Sequence, residues 1–239
     1  MTEILFGYDH ILLRAEYRTP DLHRHLASHL ILGLTGKLSC VVAGETFSAE
    51  GLAIASDAEH TVYGDAGDLL LYLFDATGPV SRRLSAGLLA GRLYAVLDGD
   101  TVRRLRDAWT SCGGQLSAAD MRLLSCCDLA GEAAGVDERI DAALRFLERC
   151  ETVPKNIMEQ LCAQTHLSQS RLSHLFSEQM GIPLNRYLVL DKMKKGYLHY
   201  QRTGSITKAS VSAGFDSPSH FAAVCKRMFG LSFSELIKS

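Results

Sequence analysis

Ala213-Gly214-Phe215-Asp216-Ser217-Pro218-Ser219-His220-Phe221, followed by Cys225-Lys226-Arg227-Met228-Phe229-Gly230, is the stretch on which the fold of this chain turns. Apolar spacing predicts a helix over 206–213, and Gly214-Phe215-Asp216 reads as a turn. Ser217-Pro218 opens the next helix, where a proline is tolerated because the first turn has no use for its missing N–H. Phe221, Val224 and Cys225 fall on the inward face of that helix. About fifty residues earlier the same grammar occurs. Asn156 stands before Glu159 as a capping-box-like start, Ile157, Leu161 and Cys162 point to a core, and Thr165-His166-Leu167 forms a turn. Ser168 caps a helix over Gln169 to Gln179, with Leu172, Leu175 and Phe176 inward and Gln169, Ser170, Arg171, Ser173, His174 and Ser177 outward. Gly181 and Pro183 end it. The C-terminal part is thus an internal duplication: two helix-turn-helix units joined by a helix over 184–200.

Two such units can set two recognition helices into successive major grooves on one side of a duplex. Short Ser and Gln side chains with an Arg and a Lys suit hydrogen bonding to base edges, where a good bidentate pair discriminates by about 1–3 kcal/mol. The candidates are Gln169, Ser170, Arg171, Ser173 and His174 in the first unit and Ser217, Ser219, His220 and Lys226 in the second. Lys192, Lys194 and Lys195 on the joining helix, with Lys226 and Arg227, are candidate phosphate contacts; the alternative is a solvated face. A helical repeat used only for protein contact is the plainer alternative for the whole region. Charge favours a polyanion: residues 1–151 hold 14 Lys and Arg against 22 Asp and Glu, whereas 152–239 hold 11 against 5.

Both halves resemble the DNA-binding domain of the AraC/XylS family of transcriptional regulators, over Leu167-Ser168 to Gly181 and over the stretch quoted first. The resemblance implies transcriptional regulation through recognition helices Gln169–Gln179 and Ser219–Phe229, with double-stranded promoter DNA as partner. It adds RNA polymerase, a homodimeric second copy and a small-molecule or metal effector as further expected partners. The departures from the family pattern are Cys162 and Ser210 for the usual Ala, His166 for the Gly of the first turn, Phe233 for a Pro, and Lys192 for an Arg.

Upstream, the runs Leu30 to Leu34, Leu38 to Val42, Leu52 to Ala55 and Leu69 to Phe74 are short and β-like. They are separated by Thr35-Gly36-Lys37, Ala43-Gly44-Glu45 and Gly64-Asp65-Ala66-Gly67. Strands so closely spaced favour an antiparallel sandwich. The expected fold class is α+β: a cupin-like β jelly-roll over 1–79 as a ligand-sensing domain, a helical linker or dimerisation region over 80–136, and an all-α DNA-binding domain over 137–239. After Gly78-Pro79, Val80, Leu84 and Leu88 form one helical line and Leu89, Leu93 and Leu97 its neighbour, to be buried either on the chain's own barrel or in a dimer. Further helices are expected around 102–109 and 118–129, and from Asp137 to a break at Thr152-Val153-Pro154, with Ile140, Leu144 and Leu147 on one buried face.

His23, His25 and His29 project to one face if their stretch is one extended strand, and His60 follows another strand. The spacing resembles the first cupin motif, with His23-Arg24-His25 as its H-x-H, His29 where a Glu is usual and Gly36 as the closing Gly; His60 resembles the later motif histidine. Converging imidazoles suit a divalent transition metal, Zn, Ni, Co, Cu or Fe, without choosing among them. An organic or ionic effector in the same pocket is the other reading, and a pocket without ligand the third.

Seven cysteines with no C-x-x-C pair fit neither a disulfide framework nor a zinc ribbon; Cys126-Cys127 is a weak redox motif beside the reading of small buried hydrophobes. No signal-like run or membrane-spanning stretch is evident, which leads to the expectation of a cytoplasmic protein. No catalytic signature accompanies the histidines, so a non-enzyme is expected. A cupin metalloenzyme carrying a DNA-binding domain and a ligand-independent architectural DNA-binding protein are the alternatives.

Overall fold

Ser28–Gly33 and Leu69–Phe74 are buried along their whole length, and a strand without a polar face must be covered from both sides. The computed structural model describes residues 3–7, 9–15, 22–64, 68–76, 78–129, 137–180, 182–229 and 233, and it shows both covers. The strands are β1 (Glu3–Phe6), β2 (His10–Ala15), β3 (Ser28–Gly33), β4 (Leu38–Val42), β5 (Glu45–Ala49), β6 (Gly51–Ile54), β7 (His60–Gly64), β8 (Leu69–Phe74) and β9 (Tyr94–Val96). They form an antiparallel six-stranded sheet in the order β1-β2-β8-β3-β6-β9 and an antiparallel three-stranded sheet, β5-β4-β7. In β4, buried Leu38, Cys40 and Val42 alternate with half-exposed Ser39 and Val41, the mark of a sheet with one wet face. The rings of His29 on β3 and His60 on β7 meet at 4.5 Å, so the two sheets face each other in the expected antiparallel sandwich.

The second cover is helical. Leu12, Leu30, Leu32, Leu70, Tyr72 and Phe74 form the outer face of the large sheet. They share one core with α1 (Pro79–Ala86), α2 (Gly99–Ser111) and α3 (Leu116–Cys126), through Val80, Leu84, Val102, Leu105, Trp109 and Leu123 among others. Residues 80–129 are therefore part of the sandwich's own core rather than a separate linker, and α1 turns its apolar line onto its own sheet. The chain divides into one compact unit of Met1–Gly131 with Lys226–Ser239 and another of Glu132–Cys225.

One helical expectation fails here. α1 stops at Gly87, and beyond it Tyr94, Ala95 and Val96 pair with Ile54, Ala53 and Leu52 at the edge of β6. Leu89 and Leu97 are buried, but Leu93 between them is 54% exposed. Gly87 and Gly91 interrupt the helix, and the open edge of β6 supplies backbone partners that favour a strand.

The second unit contains α4 (Glu138–Arg149), α5 (Ile157–Thr165), α6 (Gln169–Met180), α7 (Leu184–Thr203), α8 (Ile206–Ser212) and the start of α9 (Pro218–Phe229). Side-chain caps start four helices: Asp137 accepts from Arg139 N, Ser168 from Arg171 N, Ser205 from Lys208 N and Ser217 from His220 N. Asn156 makes no such cap; its Oδ1 accepts from Gln160 Nε2 at 3.0 Å instead. α7 reaches the second helix-turn-helix through Gly196, where a Cβ would stand 3.1 Å from Phe221 Cζ and 3.3 Å from Ala213 Cβ. The expected turn residues 65–67, the glycine-rich 131–135, and Gly181, Gly230 and Leu231 lie outside the described residues. Among those described, no helix is long and apolar enough to cross a membrane.

Candidate functional site

In the first helix-turn-helix, α5 ends at His166, whose backbone is left-handed at φ +54° and ψ 31°. α6 then buries Leu172, Leu175, Phe176 and Met180, which leaves Gln169, Ser170, Arg171 and His174 exposed and Ser173 half-buried. The second unit repeats this arrangement. Gly214 occupies its turn at φ +84°, with a Cβ position only 2.5 Å from the Val153 carbonyl oxygen, so a side chain is excluded both by conformation and by space. Phe221, Val224 and Cys225 are buried, and Ser219, His220, Lys226 and Arg227 are exposed. Ser217 departs from the expected base-contacting set, because its hydroxyl is engaged as the cap of α9 and its side chain is half-buried.

The histidines converge, though not through one strand. β3 begins only at Ser28, and His23 sits in an isolated antiparallel bridge with His60, each backbone N–H donating to the other's carbonyl. The intervening segment is held by Asp57 N–H to the His25 carbonyl and Ser56 Oγ–H to the Leu26 carbonyl. Ring centroids lie 4.6 Å apart for His23 and His60, and 4.7 Å for His25 and His29. One nitrogen from each of His23, His25 and His60 lies within 4.8 Å of the others, and His29 joins through an Nε2–Nε2 contact of 3.1 Å with His25. His25, His29 and His60 are buried and His23 is half-buried.

All three buried rings are held neutral. Burial first, then the neighbouring imidazoles, push His25 down to about 3 and His29 well below the usual histidine range. Burial also takes His60 to about 4, against a hydrogen bond to the Ala58 carbonyl. That bond, 2.8 Å from Nδ1, places the His60 proton on Nδ1 and leaves the Nε2 lone pair for a ligand. His25 differs, because its Nδ1 accepts from Ala27 N–H at 3.2 Å, so its own proton belongs on Nε2, facing His29. His29 Nδ1 is then a buried polar atom with no hydrogen-bond partner.

A family model described as a helix-turn-helix domain matches residues 161–239. The C-terminal third of the chain is an AraC-type DNA-binding domain. No curated protein sequence matches the chain. Among solved structures, ToxT from Vibrio cholerae is 9% identical, with 95% of this chain and 97% of that one covered at a TM-score of 0.46. An RmlC-like cupin from Shewanella frigidimarina is 14% identical over 31% of this chain and 75% of its own, at a TM-score of 0.28.

Within the AraC-type domain, two of the three lysines expected to meet phosphates from the joining helix are committed elsewhere. Lys192 Nζ donates to the Gly214 carbonyl at 3.1 Å and lies 5.7 Å over the Phe215 ring. Lys195 Nζ donates to the Leu147 carbonyl at 2.9 Å and pairs with Asp191. α7 is a buried strut here, with Leu188, Leu190, Met193 and Tyr197 all in the core, so most of its lysines reach inner groups; Lys194 alone of the three is exposed. The substitutions relative to the family are accommodated: Ser210 is fully buried with its hydroxyl on the Thr207 carbonyl, and Phe233 is buried. Burial pushes the Cys126 thiol up and Cys127 up to about 12, which withholds the thiolate a redox sensor needs.

Proposed function

We propose that this chain is a transcriptional regulator in which α6 and α9 read promoter DNA and the histidine cluster of the cupin-like unit senses a transition-metal ion. The duplicated helix-turn-helix carries the DNA half of this reading. Its outward side chains, Gln169, Ser170, Arg171 and His174 on one helix and Ser219, His220 and Lys226 on the other, are exposed and of the types that bond base edges and phosphates. α7, with 20 residues, is about 30 Å long, near the one-turn spacing of successive major grooves.

The donor set supports the sensing half. A closely packed group of imidazoles, with buried His25, His29 and His60 held neutral and no carboxylate joining the group among the described residues, suits Zn, Ni, Co, Cu or Fe. His60 is already in the ligating tautomer, His23 and His29 adjoin it, and His25 would have to give up its contact with Ala27 to ligate through Nε2. A bound ion would supply cross-linking of these rings, not a reaction. It changes DNA binding only if it favours one of two states of the sensor. RNA polymerase and a second copy of the chain are the protein partners this reading adds, and such a regulator acts in the cytoplasm.

The test uses untagged full-length protein, elemental analysis, and a fluorescent duplex from upstream of its own gene, with metal added and then chelated. Stoichiometric metal that shifts DNA affinity, with both effects lost in a His23→Ala, His25→Ala double variant, is the expected result. Specific DNA binding indifferent to metal would remove the metal and redirect the search to small organic effectors. Absence of any sequence preference would overturn the regulator itself.

A further inference from the structure

The large sheet buries a second group of titratable side chains on the face opposite the imidazole cluster. His10, at the start of β2, lies between two carboxylates: Nδ1 is 3.1 Å from Asp9 Oδ1, and Nε2 is 3.1 Å and 3.2 Å from the two oxygens of Asp120 on α3. An imidazole can donate from both nitrogens only as imidazolium. Asp120 is already accepting, since the Tyr72 hydroxyl donates to its Oδ1 at 2.7 Å, and Asp9 Oδ2 accepts from Val80 N–H at 3.4 Å. With a carboxylate oxygen facing each ring nitrogen, the arrangement favours a doubly protonated, charged His10.

The backbone around the group is kept bare. A Cβ on Gly7 would stand 2.3 Å from the His10 ring, and one on Gly78 would stand 2.8 Å from Asp9 Oδ2. Asp120 itself interrupts the buried stripe of α3 formed by Leu116, Ala119, Leu123 and Leu124. An ionised carboxylate on an apolar helix face cannot dock against a sheet unless its charge is met there.

We propose that Asp9, His10 and Asp120 form a proton-operated latch that docks α3 on the outer face of the six-stranded sheet, closed while His10 carries both ring protons and released when one leaves. Burial by itself would lower the His10 pKa, but the hydrogen bonds and charges of Asp120 and Asp9 raise it to about 9. The other titratable groups near the array are Tyr72, Cys126 and Cys127, each raised above its ordinary value by burial, and Asp75, whose backbone N–H donates to the Asp9 carbonyl. The latch stands independently of whether the chain reads DNA or senses a ligand.

Nuclear magnetic resonance of the full chain with isotope-labelled histidine tests it directly. One imidazole, identified by its loss in His10→Gln, is expected to carry protons on both nitrogens at pH 7.5 and to titrate near pH 9. Over the same range, hydrogen-exchange protection of α3 should fall by about tenfold or more relative to β8, and Asp120→Asn should produce that loss already at pH 7.5. A His10 ring that is neutral at pH 7.5, or α3 protection that stays constant while His10 titrates, would overturn the proposal. If the variants fail to fold, the unaltered protein still decides the matter: an imidazole that is doubly protonated at pH 7.5 and titrates near pH 9 together with the loss of α3 protection supports the latch, and the absence of any such ring overturns it.

Discussion

His10 and His29 are buried in the same sheet, yet one is charged and the other neutral. His10, Phe74 and Ser28 share one row of the ladder, and Ser28 Oγ meets Ser81 Oγ on α1, which marks that row as the outer face. His29, the next residue along β3, points the other way, to the imidazoles of the inner site. Both are at most 5% exposed. What differs is the company: His10 has a carboxylate at each nitrogen and remains charged, whereas His29 has only other histidines and is neutral. Burial sets the cost of a charge, and the neighbours decide whether it is met.

The severest test of that contrast removes one partner of the outer array. Asp120→Asn or His10→Gln strands a buried charge and should cost about 3–5 kcal/mol in denaturant unfolding; a loss no larger than that of an inner-site substitution would break the comparison. The pH dependence comes next. A folded pKa raised above the unfolded one stabilises fully below pH 6.5, and that stability is lost as pH rises through about 9. The unaltered protein should therefore lose on the order of 3 kcal/mol across this window, whereas His10→Gln should show no such slope. Gly7→Ala places a methyl against the His10 ring and should cost about 1–3 kcal/mol without altering the inner site. The smallest effect belongs to the inner face: His25→Gln, which disturbs only neutral hydrogen bonds, should change stability by about 1 kcal/mol in metal-free protein.

The duplicated helix-turn-helix was legible because its signals are local. Caps at Ser168 and Ser217, a turn at Gly214 and inward Leu172, Leu175, Phe176 and Phe221 all act within a few residues of one another. The histidine cluster was legible as a set, from His23-Arg24-His25, His29 and His60. The path that brings it together, a bridge between His23 and His60, was not. Lys192 and Lys195 looked like phosphate ligands because spacing cannot tell an exposed helix face from one pressed against carbonyl groups. An acid inside the apolar stripe of α3 was a readable sign of Asp120's role, but its partner is 110 residues away.

By itself the sequence determined the two helix-turn-helix units, the caps at Ser168 and Ser217, the repeat and the residue types available at each site, since these follow from periodicity and short-range backbone chemistry. Only the tertiary structure decided that 80–129 shares the core of the sandwich, that β9 completes the sheet and that His10 is charged while His29 is not. Those outcomes depend on which distant groups become neighbours, and a buried charge or an open strand edge is resolved by its spatial partners, whatever their distance along the chain.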